Sequence, residues 1–585
     1  MSAFFWSDPT LSPVIHPTPA IVTQAAVRRL PRWALVLLCM AYVLPGYVGR
    51  EPWKNEDVAT FWVMSLMANG QADWWNPLIL GVPADTQAWL PYWLGAGFIH
   101  LIPGFPEMAS RLPFMAALAL TLFFTWYAVY RFALLPAAQP VEFAFGGQAH
   151  PVDYARALAD SGLMALLACL GLAQLSHETA ASTFQMASFS MLLYSAACSV
   201  HSGSGQSHTR RAQYTEAVSW IAGLMCLGWS GQPVLAAFTS LSWPCLHHWI
   251  QRAKQPTQIP TPVYTWLIGA ITSVAFALFT WQADKLHGIE PPNSASDWYA
   301  LGQQMLWFAW PAWPLAIWTV WRWRNHLRQP HLATPLYFTI GASIACLLLA
   351  GSDRALLKAL PALAVLAAFA LPTLKRSVSA LIDWFSVLFF TSVAVVIWVI
   401  WVAMMTGVPS KPAANVARLA PGFQPEFGGL AFALATASTL IWLAVVAWRL
   451  GRHPTMIWKS MVLPATGGVL CWLLLMTLWL PLLDYGRSYG PISRRMSALI
   501  EPGECALIRD LSQAQIAGLM HHGQIELKRT MPESQPCRYL ITRADNAQQQ
   551  TAPGFDWAPW TLKARLNRLN DKRESLLLFT RNQPL

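Results

Sequence analysis

The sequence predicts an α-helical polytopic membrane protein with about 13 transmembrane helices and a small C-terminal α/β domain. First, 55% of its 585 residues are hydrophobic and 11% are charged, whereas about 25% of the residues of a soluble protein are charged. Second, apolar segments close to the ~20 residues that a spanning helix needs recur along the chain. Third, the composition becomes polar and basic after Pro481.

The apolar segments begin after a Pro-rich arm, residues 1–32, that ends in Arg28, Arg29 and Arg32. Because no small-residue cleavage site follows the first apolar segment, this arm is not predicted to be a cleaved signal peptide. The predicted spans are 33–49, 108–130, 157–175, 180–200, 214–229, 232–250, 262–282, 300–321, 333–351, 355–373, 379–406, 428–449 and 461–482.

The distribution of basic residues predicts the orientation. With the amino terminus in the cytoplasm, every inner loop carries Lys or Arg, as the positive-inside rule requires. These residues are Arg131, Arg156, Arg210, Arg211, Arg252, Lys254, Arg322, Arg324, Arg328, Lys375, Arg376, Arg449, Arg452 and Lys459. The formal charge of +11 is therefore explained by topology, and nucleic acid is excluded as a partner. We expect a multi-pass protein of a bacterial-type inner membrane.

The predicted domains are a cytoplasmic arm (1–32), a transmembrane domain (33–482) and a periplasmic α/β domain (483–585). Within the last, short apolar strands are predicted at 505–508, 525–527, 539–542 and 576–579, and a helix at 512–521. Cys505 and Cys537 are the two cysteines of this polar region. Outside the cytoplasm they could form a disulfide.

The first outer loop, residues 50–107, is rich in acids. Six acids (Glu51, Glu56, Asp57, Asp73, Asp85 and Glu107) stand against the two bases Arg50 and Lys54. Two apolar stretches in this loop, Glu56–Ala68 and Trp89–Ile102, are predicted to be interfacial helices. Such helices would form a roof over a cavity in the bundle.

Glu56 and Asp57 are the first candidates for chemistry. In the structural interpretation, Asn55 caps the interfacial helix and the two acids complement its positive end. In the functional interpretation, they act as a general base or orient a substrate at the boundary of water and membrane. The residues alone leave both open.

Several motifs resemble those of GT-C glycosyltransferases, in the branch of the protein O-mannosyltransferases and the lipid A aminoarabinose transferase. Residues 51–57 (Glu-Pro-Trp-Lys-Asn-Glu-Asp) resemble the Trp-x-Pro-Asp-Glu segment that opens that family's first outer loop. Further similarities follow in order at Asp73-Trp-Trp-Asn-Pro, Leu90-Pro-Tyr-Trp-Leu, Arg111-Leu-Pro and Arg354…Leu360-Pro-Ala-Leu. The resemblance therefore implies a GT-C-like fold.

The resemblance also implies an activity, the inverting transfer of a sugar from a polyprenyl-phosphate donor to an extracytoplasmic acceptor. The family's first-loop aspartate acts on the acceptor group. Because the order here is Glu-Asp, Glu56 occupies the catalytic place and Asp57 remains the alternative acid. The lysine that the family uses for the donor phosphate is missing from Thr86-Gln-Ala-Trp89. Arg111 and Arg354 are then the candidates for that role, with snorkelling at the membrane interface as their structural alternative.

Three further residues are candidate substrate ligands. His177 and Glu178 lie between two predicted spans on the outer side, where the family has an acid that meets the first-loop acid; the structural alternative is a simple polar turn. Asp85 is a candidate that an ordinary loop acid could equally explain. No Cys or His spacing supports a metal site, so a divalent cation remains an unsupported option.

Two other functions stay open, a lipid or solute transporter and a catalytically degenerate, lipid-binding member of the same fold. Transporters concentrate ionisable groups at mid-membrane and show repeated halves, whereas this chain concentrates acids in outer loops. For the acceptor, the basic excess of residues 484–585 suits an anionic lipid or glycan; the alternative is that these charges keep a small domain soluble.

Overall fold

The computed structural model describes residues 18–581 apart from 54, 85–87, 203–209, 253–262, 283–293, 349–352, 452–455, 532–535, 545–555 and 569–570. The helices are α1 Arg32–Val43, α2 Glu56–Ala68, α3 Leu90–Leu101, α4 Pro106–Ala133, α5 Pro151–Leu167, α6 Leu172–Leu175, α7 Ala181–Ser202, α8 Arg210–Trp229, α9 Pro233–Arg252, α10 Val263–Gln282, α11 Ala295–Phe308, α12 Ala312–Arg322, α13 Pro330–Leu348, α14 Asp353–Leu356, α15 Leu360–Ala370, α16 Arg376–Thr406, α17 Ser410–Leu419, α18 Gly429–Leu450, α19 Lys459–Leu478, α20 Leu480–Arg487, α21 Gly490–Ser497 and α22 Gln513–Gly523. The strands are β1 Leu78–Ile79, β2 Val82–Pro83, β3 Ala506–Arg509, β4 Leu527–Lys528, β5 Tyr539–Arg543, β6 Trp560–Arg568 and β7 Asp571–Arg581.

The apolar helices pack into a membrane-protein bundle. Within the described ranges, five helical segments are long and apolar enough to cross a membrane: α4, residues Arg354–Thr373, α16, α18 and α19. The centre of the bundle is built from α4, α5, α7, α15 and α19, which pack on one another. The total of 13 spans therefore stays a prediction, although a helix lies along each predicted segment.

Residues 300–321, which the sequence predicts to be one span, belong to two helices in the structure, α11 and α12. Two proline nitrogens at the break, Pro311 and Pro314, have no hydrogen to donate to a helix. The carbonyls that this interruption releases find other donors: Trp310 O accepts from Leu170 N at 3.1 Å, and Phe308 O accepts from Gly171 N at 2.9 Å. The break is thereby fastened to the segment between α5 and α6.

The two helices predicted in the first loop are present with nearly the predicted bounds. α2 matches its prediction and α3 spans Leu90–Leu101. Apolar side chains of α2 are buried on more than one side, among them Phe61 and Met64, because the helix packs against α3, α4 and the C-terminal α22. α2 is therefore covered by protein on several sides instead of having one face free.

The C-terminal domain is a five-stranded sheet in the order β4-β3-β5-β7-β6, with α22 beside it. β3 is parallel to β4 and β5, and β7 is antiparallel to β5 and β6. Strand β6 was not predicted, because most of its side chains are exposed or half-exposed and its sequence lacks an apolar run. The sulfurs of Cys505 and Cys537 are bonded, with their Cα atoms 4.9 Å apart.

The C-terminal domain lies on the first loop. A β-bridge joins Trp53 to Ser488, and His521 Nε2 of α22 lies 3.1 Å from Glu107 Oε1 at the start of α4. The ring of His521 also makes a T-shaped contact with that of Phe61 on α2, with 4.9 Å between the ring centres. Loop helix, bundle and domain thus meet around the segment 50–57.

Candidate active site

Asp57 lies at the centre of this junction and is 1% exposed. Its Oδ2 pairs with Arg50 Nη1 at 2.9 Å and accepts from Trp53 N at 2.9 Å. Its Oδ1 accepts from the Thr179 amide at 2.8 Å and the Thr179 hydroxyl at 2.7 Å. Burial acts to raise the pKa of Asp57, but Arg50 and Thr179 outweigh it and hold the pKa below its ordinary value. Asp57 is therefore an anion that joins the first loop to the turn before α7.

The predicted cap by Asn55 is wrong. Asn55 has φ 67° and its side chain makes no capping hydrogen bond. The Asp57 carboxylate instead reaches back to Trp53 N. A carboxylate that accepts a backbone N–H near a helix N-terminus is favoured by the helix dipole. The Asp57 carboxylate, and not the Asn55 side chain, therefore makes the stabilising hydrogen bond at the start of α2.

Glu56, Glu178 and Arg354 form a second cluster, which is more open. Arg354 Nε lies 3.1 Å from Glu56 Oε2, and Arg354 Nη2 lies 2.6 Å from Glu178 Oε2. The Glu56 side chain is 52% exposed and that of Glu178 is 5% exposed. One guanidinium therefore holds two carboxylates, and Glu56 is the one of these that solvent or an acceptor can reach.

This cluster brings together three predicted site residues that are far apart in sequence. Glu56 opens α2, Glu178 precedes α7, and Arg354 lies in α14, ahead of the buried helix α15. The first-loop acid and the acid of the later turn meet, as the family resemblance implied. Arg354 itself is ion-paired with both of them.

The contacts of His177 are with other residues than those of this cluster. Its ring is 1% exposed and packs against Tyr47 and Trp472, with ring centres 4.9 and 4.8 Å apart. Its Nε2 lies 3.1 Å from Tyr42 O, and its Nδ1 contacts Ala173 O. Burial lowers the pKa of His177 to about 4, so the ring is neutral at pH 7. The contacts favour a packing role over substrate binding.

Arg111 also lies beneath the loop and is 3% exposed. Its Nη1 donates to Arg50 O and, at 3.4 Å, to Tyr47 O. These main-chain contacts favour a structural role, in which Arg111 stabilises the turn that leads into the first loop. They do not resemble the interfacial snorkelling that was its structural alternative.

Two further expectations concern Asp85 and a metal site. Asp85 lies outside the described residues. Over the ranges that the structure does describe, no three His, Cys, Asp or Glu side chains are grouped so that they could hold a metal ion.

Sequence reasoning missed four residues that shape the site: Arg50, Thr179, Asp484 and Arg487. Arg50 Nη2 donates to His177 O at 2.9 Å, and its guanidinium lies 4.5 Å from the centre of the Trp53 ring. Arg487 lies 5.0 Å from the same ring. A cue existed for Arg50, a base inside an acid-rich loop, but the others depend on contacts between distant segments.

Comparison with solved structures identifies the architecture. ArnT from Cupriavidus metallidurans bound to undecaprenyl phosphate aligns over 94% of this chain and 97% of its own, with 13% identity and a TM-score of 0.59. The apo state of the same protein aligns over 94% and 98%, with 14% identity and a TM-score of 0.57. The chain therefore has the GT-C fold. No family model and no curated protein sequence matches it.

The likeness to GT-C proteins that the first-loop motifs predicted is thereby confirmed for the fold. It spans the bundle and the C-terminal domain together, since nearly all of both chains aligns. At this low sequence identity the comparison establishes the fold of the chain and nothing about its chemistry. The assignment of its chemistry depends on the residues described above.

Proposed function

We propose that this protein is a membrane glycosyltransferase that moves a sugar from a polyprenyl-phosphate donor to an extracytoplasmic glycan or lipid acceptor. The observation that carries the proposal is the cluster of Glu56, Glu178 and Arg354 at the first loop. An open carboxylate held by a guanidinium suits an acceptor hydroxyl that must lose a proton. The GT-C fold and the lipid phosphate bound by ArnT support the donor class.

In the proposed reaction, the acceptor oxygen attacks the anomeric carbon of the donor sugar. The new carbon–oxygen bond forms as the bond to the phosphate oxygen breaks, and the polyprenyl phosphate leaves with that electron pair. Attack from the face opposite the leaving group inverts the anomeric centre. Glu56 takes the proton of the acceptor hydroxyl, because it is the exposed carboxylate of the cluster.

Arg354 and Glu178 orient this base. Arg354 bridges the two carboxylates, and Gln174 Nε2 donates to Glu178 Oε1 at 3.2 Å. Side chains whose rotamers are fixed by further hydrogen bonds hold a reacting group more closely in place. Asp57, by contrast, has both oxygens occupied in a buried setting, so we assign it to the architecture of the loop.

The test uses the purified full-length protein with labelled polyprenyl-phosphate sugars and a membrane glycolipid extract as acceptor. Wild-type protein should form a labelled product, and Glu56→Gln should lower the rate by about 10²–10⁴-fold. Equal rates for the two would remove Glu56 from the reaction. Labelled solute that crosses vesicles without covalent transfer would instead favour the transporter, and donor binding without product would favour the degenerate, lipid-binding alternative.

The orientation is part of the proposal, because the site must face the compartment that holds the acceptor. Reporter fusions after residues 250 and 485 should report the cytoplasm and the exterior, respectively. A cytoplasmic signal at residue 485 would place the C-terminal domain and the site on the wrong side.

A further inference from the structure

Helices α1 and α4 enclose a groove of about 450 Å³, which Leu163 of α5 also lines. Its lining is almost wholly apolar. Three of the lining side chains, Val36, Met40 and Phe123, are each about half exposed. Apolar side chains that remain exposed in a membrane bundle face lipid, so the groove is open to the hydrocarbon of the bilayer.

The polar atom of a further lining residue, Trp126, is bonded outside the groove. Trp126 Nε1 donates to Asp160 Oδ1 on α5 at 2.8 Å, and its ring is stacked on that of Tyr130 at 5.5 Å. Trp126 therefore adds apolar surface to the groove. An apolar cavity of this kind stays free of water, so the occupant that fits it is a hydrocarbon chain.

The groove is about as long as one leaflet of the bilayer is thick. Its lining extends from Leu35 to Leu44 on α1 and from Met115 to Tyr127 on α4. At 1.5 Å per residue these stretches are about 14 and 18 Å long. Half of the ~30 Å hydrocarbon core is about 15 Å. One acyl chain of a phospholipid therefore matches the groove in length.

The two helices run in opposite directions beside the groove. Arg111, near the start of α4, donates to Tyr47 O, just beyond the end of α1. The start of α1 and the end of α4 therefore lie together at the opposite end of the groove, where each helix has an arginine, Arg32 and Arg131. In the proposed orientation this is the cytoplasmic end.

Both arginines continue the rows of residues that line the groove. Arg32 is three residues before Leu35, and Arg131 is four residues after Tyr127, spacings that place residues on one helical face. Arg32 is exposed and makes no hydrogen bond or ion pair within the described part of the chain. Over the same residues Arg131 Nε has no hydrogen-bond partner, although the Tyr194 hydroxyl lies beside its guanidinium. The mouth of the groove is therefore cationic.

We propose that this groove binds one acyl chain of an anionic phospholipid, whose phosphate lies against Arg32 and Arg131. An apolar groove alone would take any hydrocarbon chain, whereas two guanidiniums at its mouth favour a negatively charged headgroup. The inference goes beyond the proposed function, because the site needs neither donor nor acceptor. The bound lipid would join α1 to α4, the two helices whose outer ends meet through Tyr47 and Arg111 beneath the first loop.

The experiment titrates the purified full-length protein in detergent with dioleoyl-phosphatidylglycerol or dioleoyl-phosphatidylcholine and measures the first bound lipid by native mass spectrometry. Wild-type protein should bind the anionic lipid about ten- to thirtyfold more tightly. The double variant Arg32→Gln/Arg131→Gln should bind the two lipids equally. Arg322→Gln is the matched control, because Arg322 is an exposed arginine at the end of α12 that does not line the groove. It should keep the wild-type preference.

A second pair of variants tests the chain. Ala119 and Ala116 are both exposed on α4, but only Ala119 lines the groove. Ala119→Phe places a ring in the groove and should weaken binding of both lipids about tenfold. Ala116→Phe should weaken neither. The Tm of each variant without added lipid shows whether it is folded. If the double arginine variant is not, Arg32→Gln alone should lose part of the preference, because Arg32 is exposed and its replacement leaves the packing intact.

Three outcomes would overturn the proposal. Equal affinities of the wild-type protein for the two lipids would remove the anionic headgroup. Wild-type affinities in folded Ala119→Phe would remove the groove. Titration with undecaprenyl phosphate is the third arm: if Ala119→Phe weakened its binding and left phosphatidylglycerol unchanged, the occupant would be a polyprenyl chain instead. Sugar transfer plays no part in these measurements, so the proposed function is tested separately.

Discussion

The indole nitrogen of Trp53 lies 2.7 Å from Oδ1 of Asp484 and joins the first loop to the helix that leads into the C-terminal domain. Burial raises the pKa of Asp484 from 3.8 to about 7, and Glu51 adds to this while Arg50 opposes it. This contact therefore couples the position of the domain to a carboxyl that changes charge near neutral pH.

The first prediction concerns pH. Because the folded-state pKa of Asp484 is raised, its contribution to stability is full below about pH 4. It falls as the pH rises towards 7, then stays constant. Asp484→Asn keeps an oxygen for Trp53 without the charge, so it should raise the Tm at pH 8 and change it little at pH 4. Thermal unfolding in detergent measures this, and an equal change of Tm at both pH values would contradict it.

The second prediction separates the two adjacent acids. Asp57→Asn leaves Arg50 buried without its anion, and loss of one partner of a buried pair costs about 3–5 kcal/mol. Its Tm should fall strongly. Glu56→Gln removes a half-exposed charge and should leave the Tm nearly unchanged while activity is lost. Glu426→Gln, an exposed acid elsewhere, should change neither. A drop in Tm for Glu56→Gln as large as for Asp57→Asn would contradict the division of roles.

The third prediction separates the two arginines that the family resemblance offered for the donor phosphate. Arg111→Ala leaves buried carbonyls without a donor, at about 1–3 kcal/mol each, so it should lower the free energy of unfolding. Arg354→Lys keeps a cation beside the buried Glu178 carboxylate but lacks the planar fork that holds Glu56 as well, so it should lower the turnover rate with a small change in Tm. Chemical denaturation and turnover assays on both variants decide, and a reversed pattern would refute the assignment.

The fourth prediction tests how closely His177 is packed. A Cβ added at Gly46 would overlap the His177 ring and approach Trp472, so Gly46→Ala should destabilise the protein by about 1–3 kcal/mol. Gly97 in α3 has no atom within 4 Å of such a Cβ. Gly97→Ala should be neutral, or stabilising by up to about 1 kcal/mol through helix propensity. Equal Tm values for the two variants would show that the ring can move aside.

Much of the fold could be predicted, because hydrophobic runs and their period are local properties of a sequence. The bounds of α2 were predicted from one such pattern. Strand β6 could not be predicted in this way, since an exposed edge strand carries few apolar side chains. The break before Pro311 was missed because the flanking residues are as apolar as a continuous span.

The candidate site could be predicted in part. Glu56, Glu178 and Arg354 were named from motifs, and the structure brings them together. What each side chain does there was not predictable, because burial and ion pairing depend on segments more than a hundred residues apart. Arg111 illustrates this, since the same motif arginine could equally have faced the membrane interface or the site.

The contacts of Thr179 have a consequence for exchanging parts between proteins of this shape. Thr179 binds the Asp57 carboxylate through both its amide and its hydroxyl, and Thr60 Oγ1 donates to Thr179 O at 2.8 Å. The first loop and the turn before α7 therefore share one polar lining and cannot be replaced singly. A chimera that takes only the first loop from another protein would leave Thr179 without the residues that it contacts here. A chimera that takes both segments from the same protein would keep the contacts between them.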